Sequence, residues 1–142
     1  MEPEGTESIT LLEGVDAESI QYLLAPWVVK QLKPDEVLIE SGKPNRLMYA
    51  LLSGRLRIHL DLGEKPITVL EPGEVVGELS VIDGQATSAH VVADGEYRVL
   101  GTDEHTTWAL MWASHNIAYN LIKVLAHRLR GGNSVISTIQ DS

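Results

Sequence analysis

The chain of 142 residues contains no cysteine. That absence removes disulfides, thiolate nucleophiles and cysteine-rich zinc sites together. No run of about 18 apolar residues appears either, so a membrane-spanning helix is not expected. The opening residues, Met-Glu-Pro-Glu-Gly-Thr-Glu, lack the basic and apolar blocks of a signal peptide. Cytoplasmic location is the simplest expectation. Positive charge is scarce: 11 Lys and Arg stand against 20 Asp and Glu, for a formal net charge of -9. Nucleic-acid binding needs a local surplus of cations to replace counterions on phosphates, so direct DNA binding is not expected. Only Arg55 with Arg57 and the region 123–130 are locally basic. Arg128 and Arg130 sit where a helix ends, and there they complement the helix dipole.

Catalytic patterns are missing as well. His59, His90, His105, His115 and His127 form no i,i+4 pair and no H-E-x-x-H motif. There is no G-x-S-x-G elbow and no Walker phosphate loop. The acids are scattered. The histidines read as surface or boundary residues, and the expectation is a protein that is not an enzyme and holds no metal.

What is present is 44% hydrophobic residues in a length suited to one domain. Residues 1–8 read as a flexible acidic tail. A first helix follows, N-capped by Asp16, with Ile20, Leu23 and Leu24 at helical spacing and Pro26 ending it. From 27 to 101 the pattern changes to short apolar or alternating segments: 27–32, 37–39, 47–52, 55–60, 67–70, 75–76, 89–93 and 97–100. Turn residues separate them, including Ser53-Gly54 and Asp94-Gly95, the latter a strong two-residue hairpin signal. Residues 47–52 are apolar on both faces, as a central strand should be. Eight such strands predict a mainly β domain, a closed β-roll or jelly roll of the double-stranded β-helix kind.

The last third returns to helix. A short piece at 106–113 is capped near Asp103, and a longer one covers 114–130. In the longer one Ile117, Leu121, Val124, Leu125 and Leu129 form one apolar stripe. Gly131-Gly132 ends it, and 131–142 reads as a second flexible tail. A helix this long beside a small roll predicts a homodimer in which Ile117, Leu121, Val124 and Leu125 meet a second copy. Trp108 and Trp112, four apart, read as core packing of their helix, with base stacking over a ligand as the alternative.

The most informative stretch is 77–89. A strand ends at Gly77, a turn or so of helix spans 78–83, and a new strand begins near Thr87. Such a junction presents free backbone N–H groups at a positive dipole end, a seat for an anion. Glu78, in the first helical turn, is stabilising there in any case.

Several stretches carry a family likeness in order and at matching spacing. Leu11-Leu12-Glu13-Gly14-Val15 looks like an opening turn, and Leu47-Met48-Tyr49-Ala50-Leu51-Leu52-Ser53-Gly54-Arg55-Leu56-Arg57-Ile58 like a central hairpin bent at glycine. Leu-Ile-Lys-Val-Leu-Ala-His-Arg-Leu-Arg at 121–130 is similar to a long C-terminal helix. Gly77 to Val91 aligns, without a gap, to the pattern G-E-L-A-L-L-x-x-x-P-R-[SA]-A-[TS]-V. With these features the chain resembles the cyclic-nucleotide-binding domain family, which includes the sensor of catabolite-activator-like (Crp/Fnr-like) regulators. The resemblance covers residues 11–130.

It implies a regulatory domain whose ligand is cyclic AMP, cyclic GMP or another small nucleotide-like anion. By position, Glu78 would accept from the ribose 2′-hydroxyl. Gly77, Leu79 and Ser80 would line the sugar-phosphate through backbone groups, and Ser88, beside Ala89, would touch the cyclic phosphate. The family's phosphate-pairing arginine falls on Thr87 and its proline on Ala86. Losing one partner of such a charge pair costs about 2–5 kcal/mol, roughly 30-fold to several thousandfold in affinity. Neutral hydroxyl donors return about 0.5–1.5 kcal/mol each. Three readings therefore stand: a small-ligand sensor signalling to a partner through its C-terminal helix, a ligand-free dimerisation or docking module, and a truncated transcription regulator.

Overall fold

The computed structural model describes residues 9–131. The tails expected at 1–8 and 131–142 lie outside it, apart from Gly131, the last residue of a helix. A 3-10 turn at Thr10–Leu12 leads into α1 (Ala17–Leu24). Asp16 caps that helix as expected, its carboxylate accepting from the Ser19 N–H and hydroxyl, each at 2.8 Å. Six strands follow: β1 (Val28–Leu32), β2 (Val37–Ile39), β3 (Leu47–His59), β4 (Thr68–Leu70), β5 (Val75–Val76) and β6 (His90–Asp103). Helix α2 (Glu78–Asp83) is inserted between β5 and β6, and α3 (Glu104–Ala113) and α4 (His115–Gly131) complete the chain.

The antiparallel pair β3 and β6 is the spine, in register from Leu47↔Asp103 to His59↔His90. β1 and β2 pair with β6, while β4 and β5 pair with β3. Eight expected segments thus become six strands, because two expected turns are not turns. Ser53-Gly54 and Asp94-Gly95 lie within β3 and β6, where the register shifts at a bulge. Partners Ser53↔Arg98 and Arg55↔Asp94 leave Gly54 facing the longer stretch Gly95-Glu96-Tyr97. The expected central hairpin is therefore corrected: both halves of 47–58 pair with β6, not with each other. Gly54 permits the close crossing, since at φ 84° an added Cβ would lie 2.5 Å from the Glu96 carbonyl and the Tyr97 Cβ. The Asp-Gly pair offers the same positive φ to a bulge as to a hairpin, which is why the local signal misled.

The apolar run in β3 resolves by alternation. Met48, Ala50 and Leu52 enter a core layer with the N-terminal turn, α3 and α4. Tyr49, Leu51 and Leu56 enter a second layer inside the roll with Leu32, Val91, Tyr97 and Val99. On α4, Ile117 and Leu121 are each 3% exposed, with Val124 and Leu125 packed beside them on the same core. At about 1.5–3 kcal/mol for each fully buried aliphatic side chain, this seam fixes α4 on its own roll. Asn120 reinforces it, donating at 2.8 Å to the carbonyls of Leu11 and Glu13.

Two expectations about the helices change here. Ile117, Leu121, Val124 and Leu125 are occupied within the chain, so they are not a free face for a second copy. The exposed large apolar residues of α4 are Tyr119, Ile122 and Leu129, so Leu129 leaves the expected stripe. Trp108 and Trp112 are 39% and 84% exposed and are not core residues. α3 buries Thr107 and Leu110 instead. It is apolar almost all round from Trp108 to Ala113, so periodicity alone could not select its inner face.

Candidate functional site

β5 ends at Val76, and the chain turns through Gly77 at φ 88° into α2. Only glycine fits there, because a Cβ would lie 2.5 Å from the Leu47 carbonyl. Gly84, at φ 73°, ends the helix, and 85–89 lead into β6. This path wraps one side of a cleft of ≈ 300 Å³. Gly77, Glu78, Leu79, Ser80, Ala86, Thr87, Ser88 and Ala89 all line it, so the candidate residues form one constellation. Asp83, Gln85 and the apolar side chains of Ile39, Ile58, Val76 and Val91 complete the wall, with Arg128 of α4. Neither Trp108 nor Trp112 lines it.

Glu78 is 2% exposed. Its carboxylate is met by Arg128, whose Nη1 donates to Glu78 Oε1 while Nη2 donates to the Val75 carbonyl. A buried carboxylate needs such a partner. Burial lowers the Arg128 pKa, and the nearby Glu74 carboxylate opposes that shift. The guanidinium stays charged in proteins. Arg128 lies in the last turn of α4, where a cation complements the helix dipole as expected, and its guanidinium also reaches across to the cassette. The available signal was its place on the buried stripe of α4, four residues beyond Val124 and seven beyond Leu121. A charged residue continuing an apolar seam calls for a partner, and the sequence alone did not identify Glu78.

Thr87, at the expected arginine position, is tied elsewhere. Its hydroxyl donates to the Glu40 carbonyl at 3.3 Å, and its own carbonyl accepts from the Gly42 N–H at 2.9 Å. The Ser41 N–H donates to His90 Nδ1 at 3.2 Å. The β2–β3 loop is therefore stitched along the outer edge of 87–90. Among the described residues no group of three His, Asp or Glu is placed to hold a metal ion, and none of their helices is long and apolar enough to cross a membrane.

Residues 29–112 match the sequence profile of the cyclic nucleotide-binding domain. The chain is 28% identical to the cyclic AMP receptor protein of Thermus thermophilus, over 84% of this chain and 57% of that protein. The crystal structure of the Thermus thermophilus catabolite activator protein superposes with a TM-score of 0.80 at 26% identity, covering 92% of this chain and 63% of that one. A cyclic nucleotide-binding domain from Methylobacillus flagellatus shares the fold at a TM-score of 0.78 and 20% identity, covering 93% and 82%. The chain spans less than two thirds of the length of the Thermus relatives. With the roll, the glycine-bounded cassette and the profile match over most of its length, the chain belongs to the cyclic nucleotide-binding domain family.

Proposed function

We propose that this domain is a regulatory ligand sensor, in which the cleft at 77–89 takes a small nucleotide-like molecule and α4 reports its occupancy to a partner. Affinity for cyclic AMP itself is weakened, because Thr87 replaces the cassette arginine. The observation that carries this reading is the clasp between Arg128 and Glu78. It joins α4 to the acid best placed to meet a ligand hydroxyl, so a ligand engaging Glu78 changes how α4 is held. The domain acts by binding, and its Thermus relatives are a cyclic AMP receptor protein and a catabolite activator protein.

A thermal-shift screen of cyclic mono- and dinucleotides, nucleosides and small carboxylates tests the reading, followed by hydrogen exchange on each positive compound. Protection of 77–89 and of the last turns of α4 is the expected result. A screen with no positive compound would replace it with the ligand-free docking module, and positive compounds that leave both segments unprotected would overturn the assignment of the ligand to this cleft.

A second observation favours assembly. Tyr119, Ile122, Ala126 and Leu129 are exposed along one side of α4 at alternating spacings of three and four, the pattern of a helix seam. A homodimer through this face is our reading of how α4 passes its signal on. A part in transcription belongs to the same proposal and needs residues or partners beyond this domain, since the chain's net charge of -9 does not favour DNA.

A further inference from the structure

The charged side chains lining the cleft at 77–89 are few. Among the described residues Arg128 is the only Lys, Arg or His that lines it. Residues 1–8 and 132–142 contain none of the three. The Arg128 guanidinium is engaged by Glu78 and by the Val75 carbonyl. Asp83 adds a second carboxylate to the wall. Two carboxylates against one guanidinium leave the lining one unit negative. Thr87 cannot offset this, because its hydroxyl is turned to the Glu40 carbonyl.

A cyclic monophosphate entering this cleft meets net negative charge and no unengaged cation. To recruit Arg128 it would have to draw the guanidinium away from Glu78, leaving a carboxylate that is 2% exposed without its partner. An uncharged ligand with hydroxyl groups avoids that conflict. Ionised carboxylates accept from ribose hydroxyls, and Glu78 has acceptor capacity beyond the one bond from Arg128. Ile39, Ile58 and Val91 offer the apolar wall that a flat ring requires.

We infer that the cleft selects an uncharged ribonucleoside over the corresponding cyclic monophosphate, with Glu78 accepting from the ribose hydroxyls. The inference rests on the sensing reading and sharpens it to a ligand class.

Calorimetric titration of the full chain with adenosine, guanosine, cyclic AMP and cyclic GMP tests it, with 2′-deoxyadenosine as a further arm. Each ribonucleoside is expected to bind about 30-fold or more tightly than its cyclic monophosphate, the effect of one missing charge partner. 2′-Deoxyadenosine should bind more weakly than adenosine. Cyclic monophosphates binding as tightly as the nucleosides would overturn the inference and leave the sensing reading intact. Silence towards both classes would also overturn it, and the wider screen described above then decides sensing separately. Thr87→Arg serves as the control: cyclic AMP binding by that variant shows the cleft to be folded and open.

Discussion

Thr87→Arg is expected to raise cyclic AMP affinity by roughly 30-fold or more, since a guanidinium returns to the position that pairs with phosphate. The same change removes the bond to Glu40, a net loss of about 0.5–1.5 kcal/mol, so a small drop in Tm should accompany the gain. Calorimetry and thermal unfolding read the two effects apart. Arg128 makes the complementary prediction. Arg128→Met leaves Glu78 buried and unpaired, and removing one partner of a buried pair costs about 3–5 kcal/mol. Adding Glu78→Gln to that variant should recover part of the loss, because the charge left without a partner is then gone. Urea unfolding of the single and double variants measures this coupling; simple additivity would mean that the pair contributes nothing beyond its separate parts.

At the scale of elements, two glycines with the same backbone sign have different surroundings. Gly77 meets the Leu47 carbonyl where a Cβ would stand, whereas nothing lies within 4 Å at Gly84. Gly84→Ala is therefore expected to lose only the left-handed φ preference, about 1 kcal/mol. Gly77→Ala should lose clearly more and should disturb the cleft, which urea midpoints and ligand binding report together. The helix caps predict an acid limb in stability. Asp16 and Asp103 accept from the N–H groups of Ser19 and Thr106, and these bonds hold both carboxyls below their ordinary value of 3.8. Their folded pKa values are depressed, so the stabilisation is present above about 3.8 and fades as pH falls through the lower folded values. Asp103→Asn keeps a capping oxygen and removes the titration. Its unfolding midpoint should depend less on pH below 4 than that of the parent.

For the whole molecule, the exposed face of α4 sets the test of assembly. Ile122→Glu with Leu129→Glu should shift sedimentation equilibrium toward a monomer while leaving the fold intact, since both side chains are more than half exposed. A parent chain already monomeric at high concentration would end the dimer proposal. The sequence by itself determined the class of fold and the place of the cleft. Strand alternation, the Asp16 and Asp103 caps and the glycine-bounded 77–89 segment depend on backbone conformation and local hydrogen bonds, which neighbouring residues dictate. It also located Thr87 where an arginine was expected. It did not show that Gly54 and Gly95 are bulges in continuous strands, because positive φ serves a bulge and a hairpin equally. Nor did it orient α3 and α4, whose apolar residues outnumber the positions that a small roll can cover. Only the tertiary structure paired Arg128 with Glu78, fifty positions away, since long-range charge pairing depends on where packing brings two elements together. That contact decides which charge in the cleft remains for a ligand.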